Sequence, residues 1–348
     1  MHMSDALLSP VVGLTMAAVG VAAVGVAVAN VKKDELSDSK IPLMGVAGAM
    51  VFAAQMINFT IPATGSSGHI GGGILLAGLL GGVPAFLAIT AVLVIQCLFF
   101  ADGGLLALGC NVFNLGVIPC LLVYPLVFKP LVSRGINYKR LSAASILSVV
   151  IGLELGAFCV VLQTALSGRI QIPLGFFTVL MLSIHLVIGL VEGVVTAAVL
   201  SFIHKTRPEI VDSAHTGQRL KGVPIKSVIV ALFALALITG GALALFASRN
   251  PDGLEWALDI AITQEHETGA DAAPDTGVAA GGDIFDAAAG LQESTAFLPD
   301  YSFARDPDSA AGTSAAGVIG AVVTFVIAGA AGFVISMVKK RKRAIADG

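Results

Sequence analysis

Long apolar runs separated by short polar segments are the main pattern of this chain. A helix needs about 20 apolar residues to cross the hydrocarbon layer of a membrane. The run 74–100 contains the string Gly81-Gly82-Val83-Pro84, which we expect to break it because proline disfavours helix at and just before its position. The pattern therefore predicts nine membrane segments, at 10–30, 41–62, 74–82, 84–100, 105–128, 142–165, 174–203, 228–247 and 317–338.

The first apolar run also resembles a secretory signal peptide. The residues before it, Met1–Leu8, contain Asp5 and no Lys or Arg, and the run is longer than the apolar core of a signal peptide. We therefore interpret 10–30 as a retained helix.

The distribution of charge predicts how the segments are oriented. Lys and Arg concentrate in cytoplasmic loops of membrane proteins. With nine segments, all four basic regions fall on one side of the membrane, namely 31–40, 129–141, 204–227 and 339–348. We therefore expect the N-terminus outside and the C-terminus in the cytoplasm.

Composition supports a membrane location and divides the chain into two modules. Apolar residues make up 56% and charged residues 12%, against about 25% charged residues in soluble domains, which excludes a soluble enzyme or a nucleic-acid-binding protein. Residues 1–226 are predicted to form a seven-helix unit. Residues 227–348 contain two helices, a basic tail and the polar external segment 248–316. That segment is rich in Ala, Asp and Gly, so we expect it to be largely disordered, with local order around Pro251–Ile262.

The first two residues can chelate a metal ion. The amine of Met1, the deprotonated amide nitrogen of His2 and its imidazole Nδ1 would occupy three corners of a square. This geometry favours Ni(II) or Cu(II). An accidental histidine after the start residue is the simpler alternative.

A second histidine could supply the fourth nitrogen. His69 lies in the loop 63–73, which contains five glycines and falls on the same predicted side as the N-terminus. Irregular backbone at membrane depth requires burial in protein or a cavity. Gln55 and Asn58, at i and i+3 near the end of the second segment, would face one side and support the loop. A flexible turn with an exposed histidine, or simple hydrogen bonding between helices, remains open.

Other features allow different interpretations. Glu154, His185 and Glu192 are ionisable groups inside predicted helices, and such groups are functional candidates. They could form a metal or proton path, but internal hydrogen bonding is the preferred interpretation because His185 and Glu192 are expected to lie away from the external end. Small residues at 45, 49 and 53, namely Gly45, Ala49 and Ala53, form a smooth helix face for another helix of this chain or for another subunit.

Familiar catalytic motifs are not found. The sequence has no GxxxxGK[ST] phosphate loop, HExxH or GxSxG string. We therefore predict a protein that is not an enzyme and that does not itself hydrolyse ATP.

Three strings carry a family resemblance. The opening MHMSDALLSP resembles the start of the substrate-binding membrane subunits of nickel and cobalt energy-coupling-factor transporters, although Met3 and Ala6 replace the frequent Ile and Gly. QMINF at 55–59 followed by GSSGH at 65–69 is similar to a second landmark of that family. NPDGLE at 250–255 resembles the PDGLE domain, which occurs fused to these subunits.

The resemblance implies a site and partners. It assigns the metal to Met1, His2 and His69, with Ser67 and Gly68 in the surrounding loop. It implies an importer in a prokaryotic cell membrane that transports Ni(II) or Co(II), linked to cobalamin biosynthesis, without an organic cofactor. The implied partners are a transmembrane coupling subunit, contacting the Gly45 face, and cytoplasmic ATP-binding subunits.

Two other functions remain open. One is a stand-alone permease that couples metal transport to protons through Glu154, His185 and Glu192. The other is a membrane metal sensor that collects ions on the thirteen carboxylates of segment 248–316. The choice between nickel and cobalt also stays open.

Overall fold

The protein is built from helices joined by short loops. The computed structural model describes residues 2–32, 36–37, 39–169, 172–220, 224–267, 283–306 and 309–346. The helices are α1 Pro10–Asn30, α2 Lys40–Gln55, α3 Gly73–Leu80, α4 Gly82–Phe100, α5 Leu108–Val132, α6 Tyr138–Ser167, α7 Leu174–Thr206, α8 Pro208–Thr216, α9 Ile225–Gly241, α10 Gly253–Glu267, α11 Asp283–Thr295 and α12 Ala310–Ala346. Two short strands, β1 Phe59–Thr60 and β2 Ser67–Gly68, pair antiparallel.

The predicted all-α integral membrane fold is confirmed. Within the described residues, seven helices are long and apolar enough to cross a membrane: α1, α4, α5, α6, α7, α9 with the turn that follows it, and α12. The second predicted segment, 41–62, is wrong at its end because α2 stops at Gln55 after 16 residues. The chain is therefore a multi-pass membrane protein in which two of the nine predicted segments, those that form α2 and α3, are shorter than a full crossing.

The break after α3 falls three residues before the proline that suggested it. Gly81 separates α3 from α4 and has φ of 91°, a conformation that glycine adopts without steric cost. Pro84 lies in the first turn of α4, where an amide hydrogen would have no partner inside the helix. Glycine therefore makes the break, and proline is accommodated after it.

Helix α2 is surrounded by other helices of the same chain, chiefly α12, α9 and α4. Ala49 and Ala53 are fully buried. A Cβ atom on Gly45 would lie 2.7 Å from the carbonyl oxygen of Phe325 in α12. The small-residue face therefore packs within the chain, and the expectation that it contacts a coupling subunit is wrong.

Replacing Gly45 with Ala is expected to destabilise the protein by about 1–3 kcal/mol, because the opposing atom is backbone and cannot rotate away. Gly25→Ala in α1 is the matched control, since a Cβ there meets nothing within 4 Å. Thermal unfolding in detergent should show a lower midpoint for Gly45→Ala only. Equal midpoints for the two variants would contradict this packing.

The expectation of a largely disordered segment 248–316 is wrong for the part that the structure describes. This part forms α10, α11 and a short 3₁₀ turn, Pro299–Tyr301. Leu254 and Ala257 of α10 are buried, as the predicted local order around 251–262 requires. Residues 268–282 lie outside the described residues. The second module therefore contributes ordered structure at the end of the helices where the loop 63–73 lies.

Basic regions of the sequence meet at the end of the bundle opposite to the loop 63–73. The Lys40 ammonium donates to the carbonyl oxygen of Ser213 at 3.1 Å. The Lys339 ammonium of α12 donates to the carbonyl oxygen of Ala29 at 2.9 Å, where the last carbonyls of α1 lack helical partners. We call this end the basic face, and the end that carries His2 and His69 the N-terminal face.

Candidate metal centre

The loop between α2 and α3 enters the helical bundle. Helix α3 has only eight residues, so at 1.5 Å per residue it is about 12 Å long and begins well below the N-terminal face. The neighbouring helices α4 and α7 continue past this level. Backbone groups of the loop therefore lie at membrane depth, where each needs a partner within the protein.

Glu192 of α7 supplies two of these partners. Its carboxylate accepts hydrogen bonds from the backbone amides of Gly71 at 2.7 Å and Gly72 at 2.9 Å. Glu192 is 2% exposed, and the amides belong to the start of α3, where a carboxylate is favourable. Glu192 therefore clamps the end of the loop that follows His69.

Gln55 holds the same loop from the other side. Its Nε2 donates to the carbonyl oxygen of Gly71 at 2.9 Å, and its Oε1 accepts from Nε2 of Gln96 at 2.9 Å. Asn58 does not share this face, because α2 has already ended. The backbone carbonyl oxygen of Asn58 instead accepts a hydrogen bond from the backbone amide of Ser248 at 2.7 Å. Gln55 therefore supports the loop as predicted, whereas the prediction that Asn58 shares a helix face with it is wrong.

The two candidate histidines lie against each other. The rings of His2 and His69 stack with centroids 5.4 Å apart and planes 12° from parallel. Nδ1 of His69 lies 3.1 Å from the carbonyl oxygen of Ile70. Because a carbonyl only accepts, this contact places the proton of the neutral ring on Nδ1 and leaves a lone pair on Nε2. Burial lowers the pKa of His69 to about 4, so the ring is neutral at physiological pH.

Asp102 is the charged partner of His2. Its Oδ1 lies 3.0 Å from Nδ1 of His2, and Tyr301 of the second module donates its hydroxyl to Oδ2. Burial would raise the pKa of Asp102, but the charge and hydrogen bond of His2 outweigh it and lower the pKa to about 2. Sequence reasoning missed both residues. The available signal was that Asp102 is the single charged residue between 41 and 128.

The segment after His2 is anchored by backbone-directed hydrogen bonds. Asn111 of α5 accepts from the amide of Met3 at 2.8 Å and donates to its carbonyl oxygen at 3.2 Å. Asp5 accepts from the amide of Ala107 at 2.8 Å. Met3 is fully buried. His2 is thereby held beside the loop, whereas Met1 lies outside the described residues.

The string PDGLE forms the start of α10. Oδ1 of Asp252 accepts from the amides of Leu254 at 2.8 Å and Glu255 at 2.9 Å, and the amide of Asp252 donates to Oε2 of Glu255 at 3.2 Å. This reciprocal arrangement is a capping box. A Cβ on Gly253 would lie 3.2 Å from Ile184 of α7. The string therefore starts the helix and brings it close to α7.

The second module covers the loop directly. The amide and the hydroxyl of Ser67 donate to the carbonyl oxygens of Pro251 and Asn250, each at 2.8 Å. Nε1 of Trp256 donates to the carbonyl oxygen of Thr64 at 2.8 Å. Ser67 and Gly68, predicted as loop residues near the site, are both buried. The loop is therefore enclosed between α7 and the start of α10.

Side chains alone do not complete a metal site in the part of the chain that is described. No three His, Cys, Asp or Glu side chains there are placed to hold one ion. A site that uses His2 and His69 therefore requires further donors, such as backbone nitrogens.

Comparisons with known proteins agree with this architecture. The family "Cobalt uptake substrate-specific transmembrane region" matches residues 2–210, and the PDGLE domain matches residues 226–337. A protein of Archaeoglobus fulgidus is 31% identical over 333 residues, covering 94% of this chain and 96% of that protein. The fused nickel transport protein NikMN of Rhodobacter capsulatus is 29% identical, again covering 94% of this chain and 96% of the relative.

A crystal structure of a transition metal transporter shares the helical arrangement. It is 29% identical in sequence and has a TM-score of 0.53. The match covers 64% of this chain and all of the transporter chain. The predicted resemblance is therefore confirmed for both modules. The chain belongs to the family of cobalt uptake substrate-specific transmembrane proteins, with a PDGLE domain fused behind that region.

Proposed function

We propose that this chain is the metal-binding subunit of an ATP-driven energy-coupling-factor importer for Ni(II) or Co(II). The ion is held by four nitrogens: the amine of Met1, the amide nitrogen and Nδ1 of His2, and Nε2 of His69. The observation that carries the proposal is the stacking of His2 on His69 beside an anchored N-terminal segment. The relatives named for nickel transport and the family named for cobalt uptake support the choice of ion.

The proposed chelate requires a movement of His2. Nδ1 of His2 is paired with Asp102, whereas the chelate directs Nδ1 toward the metal. A half-turn of the imidazole about its Cβ–Cγ bond exchanges the positions of Nδ1 and Cδ2. Nδ1 then no longer faces Asp102. The carboxylate then stabilises the positive charge that arrives with the ion. Binding is therefore an exchange of one partner of Nδ1 for another.

The energy source is proposed to be a separate set of subunits. The sequence contains no phosphate-binding loop, so ATP would be hydrolysed by cytoplasmic ATP-binding subunits and transmitted by a transmembrane coupling subunit. In this arrangement the basic face is cytoplasmic and the N-terminal face is outside, consistent with the clustering of Lys40 and Lys339 at the basic face.

The ligand set favours nickel over cobalt by geometry. Four nitrogens in a plane suit Ni(II) and Cu(II), while Co(II) accepts the same ligands in other geometries. Discrimination between nickel and cobalt would then depend on how rigidly Glu192 and Gln55 hold the loop that carries His69.

Uptake into vesicles that contain the complete transporter tests the proposal. Nickel uptake should require ATP, and His69→Ala should bind Ni(II) at least about tenfold more weakly, because it loses a ligand and even outer partners of ligands contribute about 10- to 100-fold. His204→Ala is the matched control, since His204 lies near the other end of α7. Unchanged nickel affinity in His69→Ala would overturn the site.

The same experiment tests the proton-coupled permease. That function predicts uptake driven by a pH gradient in vesicles without any ATP-binding subunit. The structure weighs against it because both oxygens of Glu192 already accept from the loop amides. A carboxylate that shuttles protons along the bundle would have to release them.

A further inference from the structure

His185 of α7 lies beneath the loop with a nitrogen available for a ligand. It is 1% exposed, and Nδ1 lies 2.8 Å from the carbonyl oxygen of Met181. Since a carbonyl only accepts, Nδ1 carries the proton and Nε2 carries a lone pair. Among the described residues, Nε2 of His185 has no hydrogen-bond partner. The hydrogen bond to Met181 agrees with the expected internal bonding of His185, but the expectation that His185 lies away from the external end is wrong because it shares a cavity with His69.

His185 and His69 line one small cavity. The cavity has a volume of about 10 Å³ and is also lined by Gly68, Asp252 and Gly253. This volume holds one water-sized particle, so a hydrated ion would have to shed most of its water to enter. Both imidazoles have Nδ1 directed to a backbone carbonyl, at Ile70 and Met181. Each therefore has Nε2 as its free nitrogen.

The cavity continues toward the centre of the bundle. A second cavity, also about 10 Å³, shares Gly71, Leu115 and Leu153 with the first and is lined by Glu192. Glu192 follows His185 by seven residues in α7, so the second cavity reaches about two helical turns further along that helix. Asp252 supplies negative charge at the wall, which lowers the electrostatic cost of a cation there.

We propose that His185 forms a second metal position, in which Nε2 of His185 and Nε2 of His69 hold the transported divalent ion beneath the N-terminal chelate. The inference rests on the proposed function, because the ion reaches this position from the chelate when the His69 ring turns from His2 toward His185. Two imidazoles without the terminal amine bind more weakly than four nitrogens. The second position is therefore one that the ion leaves easily.

Co(II) bound by imidazole nitrogens absorbs visible light, so the intensity of this absorption measures how much Co(II) occupies the second position. The probe is Co(II) added to the full-length protein carrying one extra N-acetylated glycine before Met1, which converts the amine into an amide, supplies no new amine and so disables the chelate. This extended protein should retain weak Co(II) binding. His185→Ala in the extended protein should weaken it at least about tenfold, whereas His204→Ala in the same helix should leave it unchanged.

Several outcomes would overturn the proposal. If the extended protein binds no Co(II), or if His185→Ala leaves its binding unchanged, the cavity holds water and His185 is structural. His185→Gln keeps a polar side chain without an imidazole, and should match His185→Ala in binding while retaining native thermal unfolding. Failure of the proposed function gives a different result: native and extended proteins would bind Ni(II) equally, whatever residue stands at 185.

Discussion

Adding one N-acetylated glycine before Met1 is expected to weaken Ni(II) binding by more than about 100-fold, because even outer-shell partners of a metal contribute about 10- to 100-fold. The extension converts the amine of Met1 into an amide, and the acetyl group leaves no new amine that could replace it as a ligand. Calorimetric titration of purified protein with an untagged N-terminus, compared with the extended protein, measures the change.

A glycine added after Gly348 serves as the control, because it alters the chain length at the basic end and leaves the N-terminal face unchanged. Equal Ni(II) affinity in all three proteins would show that the amine of Met1 is not a ligand. The site would then depend on side chains at the N-terminal face, and the stacking of His2 on His69 would need another explanation.

Replacing Glu192 with Leu is expected to destabilise the protein by about 3 kcal/mol, because two buried amides lose a charged acceptor. The affected amides, those of Gly71 and Gly72, lie 2.7 Å and 2.9 Å from the carboxylate oxygens. The loop that carries His69 would lose its attachment to α7. Ni(II) affinity should therefore fall together with the midpoint of thermal unfolding.

Glu154→Leu is the matched control, since Glu154 is also a carboxylate in a long helix but is only partly buried. Its Oε1 has no hydrogen-bond partner among the described residues. Glu192→Gln should fall between the two because it keeps one acceptor oxygen. If Glu192→Leu and Glu154→Leu unfold at the same temperature, the carboxylate of Glu192 does not clamp the loop.

The second module does more than add two helices to the first. Asp252 starts α10 beside Ser67, Trp256 reaches Thr64, and Tyr301 donates to the carboxylate that faces His2. Covalent fusion raises the effective concentration of this cover at the loop. Contacts from a chain segment more than 180 residues away thus shape the surroundings of His69.

Several features of the site were predictable because they depend on local chemistry. His2 can form chelate rings with its own backbone, and His69 lies in a glycine-rich string, so both could be chosen from their neighbours in sequence. Basic residues marked the face that gathers Lys40 and Lys339. Local order around Pro251–Ile262 was also predicted, whereas the D-x-x-E spacing of Asp252 and Glu255, a signal of their capping box, was not used.

Other features depended on partners that sequence spacing does not bring together. Asp102 stood out as an isolated charge, but its contacts come from His2 and from Tyr301, which lie at opposite ends of the chain. The Gly45 face could serve equally well within the chain or between subunits, and only the packing of α12 decided it. The order of the described parts of segment 248–316 likewise required surfaces that its own composition does not reveal.

The sequence by itself determined that this is an all-helical membrane protein, which family it belongs to, and which histidines are candidates for the metal. Hydropathy, local chelation and motif spacing act over a few residues and are legible along the chain. Only the tertiary structure decided that the loop descends to membrane depth, that Glu192 clamps it, and that His185 shares a cavity with His69. These relations arise because unsatisfied backbone groups at that depth must find partners on distant helices.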